Sequence, residues 1–413
     1  MQNKFAMTPV RRWSVVGMLC LGMIIAYVDR TNLSVAIADE DFQQYFNLSH
    51  LDRGTLNSAF FWSYAFLQIP AGYLVDRMGV KIPYAIGFLL WSLVSAGTAF
   101  ATSVQQLFAL RLVLGVGEAV VTPASLRWIR FNVDEKQRGL AVGLLFAGAK
   151  VGPAIGAPLA ALLLYHLGWQ TMFIVLGLGC LFWLVPWMLL VRNDDRALEA
   201  KAQEISGAPP VPFSAVFKTP MIWGVVVGTF CYNYFNYFGV TWLPSYFVDK
   251  YGVSLKETGW FTAFSFGGMA IVATLAGAVA DRLIARGADP VKIRRRFTVA
   301  GFMVASTQVF GIMTESPNVA LFFAMLSLSG LGLATANYWA LTQTLVPGAA
   351  IGRIAGIQNF ASNLSGIAAS LVTGALKEKT QSYDAPMLVI FGLLILGALS
   401  YTLLVQKKYV PKI

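Results

Sequence analysis

The chain has 413 residues, of which 57% are hydrophobic and 12% are charged, and its mean hydropathy is +0.63. This composition excludes an ordinary soluble domain and indicates an integral membrane protein embedded in a lipid bilayer. The formal net charge of +11 does not indicate nucleic-acid binding, because the positions of the basic residues account for it.

Windows of about 20 apolar residues predict twelve membrane-spanning helices. They lie near residues 14–37, 54–75, 82–101, 104–128, 138–163, 169–191, 221–248, 257–280, 297–314, 318–342, 351–375 and 385–405. The three cysteines, Cys20, Cys180 and Cys231, all lie within these spans, so we expect no disulfide framework.

The basic residues predict the orientation of the spans. If both termini are cytoplasmic, 23 of the 31 Lys and Arg residues lie on the cytoplasmic side, five lie in external loops and three lie deep in spans. Cytoplasmic loops of membrane proteins carry this excess of positive charge. We therefore expect a multi-pass membrane protein with both termini in the cytoplasm.

The first span also resembles a cleavable signal peptide, with Arg11-Arg12 before an apolar run and Ala36-Ile37-Ala38 after it. Asp29-Arg30 would interrupt the apolar core of such a signal. We therefore interpret this segment as a retained first span.

The second half of the chain repeats the first half at an offset of 205 residues, without a gap. Identical pairs at this offset are Ser49 and Ser254, Gly54 and Gly259, Gly72 and Gly277, Asp76 and Asp281, and Arg77 and Arg282. A duplicated six-span unit predicts two similar bundles, with a substrate cavity between them near the membrane midplane.

A polar, proline-containing stretch separates the repeats and indicates a cytoplasmic linker. The predicted domains are an N-terminal six-helix bundle (residues 1–191), a linker (192–220) and a C-terminal six-helix bundle (221–413). The predicted fold is an all-α membrane protein with twelve transmembrane helices in two pseudo-symmetric bundles, and we expect a monomer.

Ionisable residues inside the spans are the main functional signal, because each costs roughly 2.5–3.5 kcal/mol at a helix centre on insertion scales. Asp29 and Arg30 lie in the first span, where Tyr27 and Arg30 share a face. Arg111 and Glu118 lie two turns apart on one face of the fourth span.

Lys150 lies about 12 residues, or roughly 18 Å, from the start of the fifth span. At that depth it is either a substrate-binding cation or a counter-ion to Asp29 or Glu118. A structural Arg111–Glu118 pair that only joins helices is likewise an alternative to a transport role.

The loop GYLVDRMGVK at residues 72–81 resembles the signature between the second and third helices of the major facilitator superfamily. The segment GAVADR at 277–282 resembles its second copy. The resemblance implies that this loop is a conformational latch. It assigns gating to Gly72, Asp76, Arg77, Asp281 and Arg282.

The segments YVDRTNLSVA in the first span and RLVLGVGEA in the fourth are similar to the anion:cation symporter branch of that superfamily, which includes sugar-acid permeases. The resemblance implies that Asp29 and Glu118 carry protons, that Arg30 engages the substrate carboxylate or controls Asp29, and that Arg111 is the charge partner of Glu118. It also implies substrate contacts from four side chains: Tyr27, Tyr64, Trp339 and Asn359. We add Lys150 and Asn363 as candidate substrate-binding residues.

The second half carries neutral donors and acceptors where the first half carries charges: the echo of Glu118 is Leu333, and that of Lys150 is Asn363. A group of buried amides and hydroxyls suits a hydroxyl-rich ligand. For any single residue, hydrogen bonding between helices is the alternative.

The sequence therefore predicts a proton-coupled symporter that takes up a small organic anion by rocker-switch alternating access. The expected substrate is a sugar acid (an aldonate, aldarate or uronate), with protons as the coupling ion and no other cofactor. Three cations and two acids leave the ionised site at +1, so protonation of an acid favours anion binding and anion binding favours protonation.

There are three alternative classes of protein. The first is a proton antiporter that exports drugs or metabolites, because the fifth span resembles the glycine-proline motif of such proteins. The residues of the motif are Gly139, Gly148, Gly152, Pro153 and Gly156. Close packing of helices through small residues also explains them. A channel or a non-transporting receptor is the second alternative, against which the duplication and the buried acids both argue. An enzyme is the third, and we exclude it because His50 and His166 lie in predicted external loops without a nucleophile or metal-ligand set.

Overall fold

The structure, a computed structural model, describes residues 7–133, 135–192, 219–345 and 351–409. Within these residues the chain is helical and contains no strand. The helices of the first half are α1 (Pro9–Ala38), α2 (Glu40–Phe46), α3 (His50–Met78), α4 (Lys81–Gly97), α5 (Val104–Glu118), α6 (Val121–Asn132), α7 (Glu135–Gly179) and α8 (Leu184–Leu190). Those of the second half are α9 (Pro220–Thr241), α10 (Leu243–Tyr251), α11 (Leu255–Ala285), α12 (Pro290–Ser306), α13 (Val309–Ile312), α14 (Pro317–Leu345), α15 (Ile351–Thr380) and α16 (Asp384–Leu403).

Each of the twelve predicted spans coincides with a helix or with consecutive helices. Among the described residues, seven stretches of helix are both long enough and apolar enough to cross a membrane. One of them, Leu140–Leu190, contains two predicted spans, which Gly168 separates by adopting φ +77°. Glycine is the residue that adopts this backbone conformation without steric cost.

The predicted fourth span is divided into α5 and α6 immediately after Glu118. Pro123 explains the division, because proline has no backbone N–H to donate to the carbonyl four residues earlier, at Ala119. The buried acid therefore lies at the end of a helix, and not in its middle.

The chain forms two compact units, one of residues 1–32 with 59–207 and the other of residues 33–58 with 208–413. The last part of α1, all of α2 and the start of α3 thus pack with the second half of the chain. A division of the chain at the linker alone would place these residues with the first half. Residues 193–218 of the predicted linker lie outside the described residues. The domain boundaries read from the sequence remain a prediction.

In the first unit, aromatic rings from α4, α8 and the turn before α8 form a core. Phe88 stacks on Trp183 with ring centroids 4.3 Å apart, and Tyr84 lies 4.6 Å from Trp187. Gly87 of α4 and Gly117 of α5 bring the two backbones together, since a Cβ built on Gly117 would lie 2.9 Å from the Gly87 carbonyl oxygen. Such small-residue contacts are a common way for membrane helices to approach closely.

In the second unit, the start of α3 packs against α15 through another glycine pair. A Cβ on Gly54 would lie 2.7 Å from the Ser370 carbonyl oxygen, and a Cβ on Gly374 would lie 3.0 Å from the Gly54 Cα. Because neither position has space for a side chain, the two backbones are in direct contact.

Arg53 is the centre of a polar cluster beside this contact. Although it lies in a predicted external loop, it is only 1% exposed. Its Nη2 lies 3.0 Å from Asp249 Oδ2, which also accepts a 2.8 Å hydrogen bond from the Tyr383 hydroxyl. Arg53 Nη1 lies 3.3 Å from His50 Nδ1, and the backbone N–H of His50 donates to Glu378 at 3.0 Å.

His50 precedes the predicted span 54–75 and has a lowered pKa. Burial is the largest cause, and the positive charges of Arg53 and Lys377 lower the pKa further. The carboxylates of Asp249 and Glu378 act in the opposite direction. The folded protein therefore contains a neutral His50 at pH values where a histidine in the unfolded chain already binds a proton.

We expect the melting temperature of the purified protein to fall between about pH 7.5 and about pH 5.5, and the replacement His50→Gln to reduce that fall. A lowered pKa in the folded state means that the unfolded chain gains its proton first as the pH decreases. Glutamine offers Arg53 an acceptor that does not titrate. Thermal unfolding of both proteins across this range is the measurement.

The matched control is His166→Gln, because His166 is exposed and lies in the other unit. It should keep the wild-type dependence on pH. An equal pH dependence in wild type and His50→Gln would contradict the assignment of this effect to His50.

Candidate functional site

Four buried ionisable side chains of α1 and α5 lie together in the first unit. None is more than 6% exposed, and their formal charges cancel: they are Asp29, Arg30, Arg111 and Glu118. Charges buried in a protein need hydrogen bonds and opposite charges, because their desolvation is costly. The partners of each side chain therefore indicate how the site works.

Glu118 pairs with Arg30 and not, as the sequence led us to expect, with Arg111. Arg30 Nε donates to Glu118 Oε2 at 2.8 Å, and Arg30 Nη2 lies 2.8 Å from the same oxygen. The other carboxylate oxygen, Oε1, has no hydrogen-bond partner among the described residues. One oxygen of Glu118 thus occupies two donors of the guanidinium group.

Three aromatic rings surround the Arg30 guanidinium. Its central carbon lies 4.3 Å from the ring centroid of Tyr27, 4.5 Å from that of Phe60 and 4.6 Å from that of Tyr64. Each distance is within the range of a cation–π interaction. We name these three residues the aromatic cage. Two of them were candidates from the sequence, whereas Phe60 was missed because nothing distinguishes it from a packing residue in an apolar helix.

Asp29 has a different environment, without a side-chain ion pair among the described residues. Its Oδ1 accepts a 2.7 Å hydrogen bond from the Ser95 hydroxyl and a 3.2 Å bond from the Asn32 amide. Its Oδ2 has no partner in the described part of the chain, and the residue is only 1% exposed. Asp29 and Arg30, although adjacent in sequence, therefore point to different neighbours, as the helical geometry predicts.

Arg111 is held by neutral groups of α1. Its Nη2 donates to Asn32 Oδ1 at 3.2 Å, and its Nη1 reaches the Asp29 carbonyl oxygen at 3.5 Å. The spacing of Arg111 and Glu118 on one helix face suggested a pair, but helix α1 supplies better-placed partners for both. Asn32 therefore lies between Arg111 and the Asp29 carboxylate, a role that the sequence did not reveal.

The glycine-proline motif of α7 lies against α1. A Cβ on Gly148 would lie 2.8 Å from the Cys20 carbonyl oxygen, and a Cβ on Gly156 would lie 3.0 Å from the Val28 Cα. Gly152 contacts Tyr27, a member of the aromatic cage. The surroundings of Gly139, the first glycine of the motif, lie outside what the structure describes.

Lys150 lies on the same helix, two residues from Gly148 and two from Gly152, so its Cβ leaves the helix on the opposite face. It is half-buried.

In the second unit, the candidate residues lie on α14 and α15. Trp339 and Asn359 are half-buried, and Asn363 is 1% exposed. The Asn363 amide donates to the Asn359 carbonyl oxygen at 2.8 Å, so the structure satisfies this donor within its own helix.

Three buried amide oxygens on α14 and α15 have no hydrogen-bond partner among the described residues. They belong to fully or almost fully buried side chains: Asn337, Gln358 and Asn363. Their amide nitrogens donate to Leu333, Thr229 and Asn359 respectively. Buried polar atoms are normally paired, so these oxygens are acceptors for water or for the hydroxyl groups of a ligand.

The predicted gating residues lie at helix ends. Gly72 lies near the end of α3, where Arg77 stacks over the Tyr73 ring at 4.7 Å, while the side chain of Asp76 lies outside the described residues. In the second copy, Asp281 accepts a 2.8 Å bond from Arg294, which joins the end of α11 to α12. Arg282 is exposed.

The described residues contain no group of three or more His, Cys, Asp or Glu side chains that could hold a metal ion.

Long apolar helices in two units, with compensated charges in one of them, define a multi-pass membrane protein. The family model of the Major Facilitator Superfamily matches residues 19–370. The chain therefore belongs to the Major Facilitator Superfamily, and the predicted fold of twelve transmembrane helices is confirmed.

The chain is 31% identical to the "D-galactonate transporter" of Escherichia coli O6:H1, over 96% of each chain. It is 30% identical to the "Probable sulfoacetate transporter SauU" of Cupriavidus necator, over 94% of this chain and 93% of the relative. Both relatives are named as transporters, which confirms the prediction that the chain is not an enzyme.

Among solved structures, the chain is similar to a bacterial homolog of the human lysosomal transporter Spinster in an inward-facing and occupied conformation. The TM-score is 0.78 at 16% identity, and the match covers 96% of this chain and 97% of that chain. At this identity the likeness concerns the fold alone.

A double-mutant cycle tests the pairing of Glu118. We expect Glu118→Gln and Arg30→Gln each to reduce the free energy of unfolding by about 3–5 kcal/mol, because each leaves a buried charge without its partner. The double variant should lose less than the sum of the two. Thermal or denaturant unfolding of the purified variants is the measurement.

The comparison cycle combines Glu118→Gln with Arg111→Gln. Since Arg111 hydrogen-bonds to Asn32 and to the Asp29 carbonyl, its coupling to Glu118 should be smaller than that of Arg30. A stronger coupling of Glu118 to Arg111 than to Arg30 would contradict the structural assignment.

Proposed function

We propose that this protein is a secondary active transporter of a bacterial inner membrane, with both termini in the cytoplasm. It takes up a small organic anion together with protons, by rocker-switch alternating access. The anion is a sugar acid: an aldonate, an aldarate or a uronate. Asp29 and Glu118 carry the protons, while Arg30 and Lys150 bind the anion.

The contact of Glu118 with Arg30 is the observation that carries this proposal. One oxygen of the ionised acid occupies Nε and Nη2 of the guanidinium group, at 2.8 Å from each. A substrate carboxylate needs the same donors, so an ionised Glu118 competes with the substrate. Protonation of Glu118 removes its negative charge and leaves Arg30 available to the anion.

In the carrier without substrate, the contact of Glu118 with Arg30 lets the two opposite charges compensate each other. When the proton and the anion leave together, Glu118 returns to Arg30 and the pair is neutral again. Because each ligand increases the affinity for the other, the coupling is reciprocal, as symport requires. The aromatic cage holds the guanidinium during this exchange of partners.

The class of substrate is supported by both units separately. The first unit contains buried cations, and the second contains buried amide oxygens on Asn337, Gln358 and Asn363 that a hydroxyl group can satisfy. A sugar acid carries both a carboxylate and hydroxyl groups. One relative is named as a D-galactonate transporter and another as a sulfoacetate transporter, so small organic anions are the substrates named for both.

The alternative, an antiporter that exports drugs or metabolites, depended on the glycine-proline motif of α7. Gly148, Gly152 and Gly156 lie against the backbone or Cβ atoms of α1, where a side chain would not fit. Close packing of two helices is therefore a sufficient reason for these glycines. The structure adds no observation in favour of export.

A ligand screen by thermal shift tests the substrate class with three matched compounds. We expect D-galactonate to raise the melting temperature more than galactitol, which lacks the carboxylate, and more than sulfoacetate, which lacks the hydroxyl groups. A ligand at 100 times its dissociation constant stabilises the folded state by about 2.7 kcal/mol. Lys150→Ala should reduce this shift, and Lys150→Arg should restore part of it.

The matched control is Lys256→Ala, which removes an exposed lysine from the start of α11 and should leave the shift unchanged. An equal response to galactitol and D-galactonate would contradict an anion site. A wild-type response in Lys150→Ala would remove Lys150 from that site.

The replacement Glu118→Gln tests proton coupling. Glutamine resembles the protonated acid and cannot release a proton, so Arg30 stays available to the anion. We expect proteoliposomes to retain counterflow of the substrate found in the screen, but to lose accumulation driven by a pH gradient. Counterflow and gradient-driven uptake, measured on the same preparation, separate binding from coupling.

The control Glu257→Gln changes an exposed acid in the capping box of α11, where glutamine serves as well. It should transport like the wild type. Gradient-driven accumulation by Glu118→Gln at the wild-type level would exclude Glu118 from the proton path and leave Asp29 as the coupling acid.

A further inference from the structure

Ser95 of α4 is an unexpected neighbour of Asp29. It is 3% exposed, and its hydroxyl donates to Asp29 Oδ1 at 2.7 Å. A serine inside a helix commonly bonds to the carbonyl four residues earlier, as the hydroxyl of Thr98 does with Val94 at 3.1 Å. The Ser95 hydroxyl instead leaves its own helix and reaches α1.

The hydrogen of the Ser95 hydroxyl is directed towards Asp29 by a second contact. The Asn32 amide lies 3.4 Å from Ser95 Oγ and 3.2 Å from Asp29 Oδ1. The amide nitrogen can only donate, so Ser95 Oγ accepts from it and its own proton is free for the carboxylate. The distance of 2.7 Å is typical of a charge-assisted O–H···O⁻ bond.

The two oxygens of Asp29 are therefore unequal. Oδ1 accepts bonds from Ser95 and Asn32, whereas Oδ2 has no partner among the described residues. Donors at Oδ1 favour the ionised form of the acid, and they fix the rotamer that directs Oδ2 away from them. Oδ2 is therefore the carboxylate oxygen with a free position for a proton.

We propose that Ser95 is a positioning residue that sets the pH at which Asp29 binds its proton. The proposal rests on the proposed function, in which Asp29 is a coupling acid. Ser95 acts through Asp29 and does not contact the transported anion. Without its hydroxyl, the ionised carboxylate loses its shortest hydrogen bond and Asp29 accepts a proton at higher pH.

Arg111 and Glu118 on α5 also act on the charge of Asp29, Asp29 itself acts on Cys180 in the turn before α8, and Arg30 follows Asp29 on α1. None of them is altered by a change at position 95.

Ser92 offers a matched control, because it is the same residue one turn earlier on α4. It is fully buried, and its hydroxyl has no hydrogen-bond partner in the described chain.

The test is an infrared titration of the substrate-free, full-length protein. The band of the protonated carboxyl group that disappears in Asp29→Asn reports the protonation of Asp29. We expect its midpoint in Ser95→Ala to move to higher pH by about one to two units, the equivalent of a hydrogen bond to a charged group. Ser92→Ala should keep the wild-type midpoint. Ser95→Thr keeps a hydroxyl group and should have a midpoint close to that of the wild type.

If Ser95→Ala does not fold, Ser95→Cys keeps nearly the same shape with a weaker donor and should move the midpoint in the same direction by a smaller amount. If the midpoint of Asp29 protonation in Ser95→Ala or Ser95→Cys equals that in Ser92→Ala, the proposal is overturned. The titration needs no substrate. A failure of all transport assays would therefore count against the proposed function, whereas an unshifted midpoint would count against Ser95 alone.

Discussion

The cost of burying charge in an apolar helical bundle is the constraint on which the structure of the first unit depends. An ion brought out of water loses its hydration, and only well-placed partners offset that loss. Arg30 meets this requirement with Glu118 on one side and three aromatic rings around it. A pair held this way is stable only while both members keep their charge. The same requirement makes the pair sensitive to a proton.

Small residues determine where these partners can lie. Gly87 and Gly117 bring α4 against α5, while Gly177 of α7 approaches the backbone of α4 near Ser92 and Ala96. Helix α4 is thus in close contact on two sides, and it presents Ser95 to α1. The hydrogen bond from Ser95 to Asp29 follows from these contacts between backbones. The polar geometry of the site therefore depends on residues that have no polar side chain.

The two units solve the problem of buried polar groups differently. The first combines opposite charges, whereas the second contains amides whose nitrogens are satisfied within the protein and whose oxygens are not. The second unit also contains the Arg53 cluster, where Asp249 compensates a buried arginine and accepts a hydrogen bond from Tyr383. The candidate site residues have in this way diverged between the two copies of the duplicated sequence, with charges on α1 and α5 and neutral acceptors on α14 and α15. The repeated loop remains recognisable because it lies outside both cores.

The sequence alone determined the class of protein, the number and positions of the spans, the duplication and the four buried charges of α1 and α5. These features could be predicted because the hydropathy of a span and the placement of its charges depend on the local sequence alone. The partners were decided by tertiary structure. Arg111 and Glu118 share a helix face in the sequence, yet Glu118 pairs with Arg30, because the closest donors come from another helix. Phe60, Ser95 and Asn32 were missed because an aromatic ring, a hydroxyl or an amide in a span has the same local pattern whether it packs or acts. Only the packing of α1, α4 and α5 against one another distinguishes these roles. The spacing of residues along a helix determines the face on which each residue lies, but it does not determine which residue of another helix lies opposite.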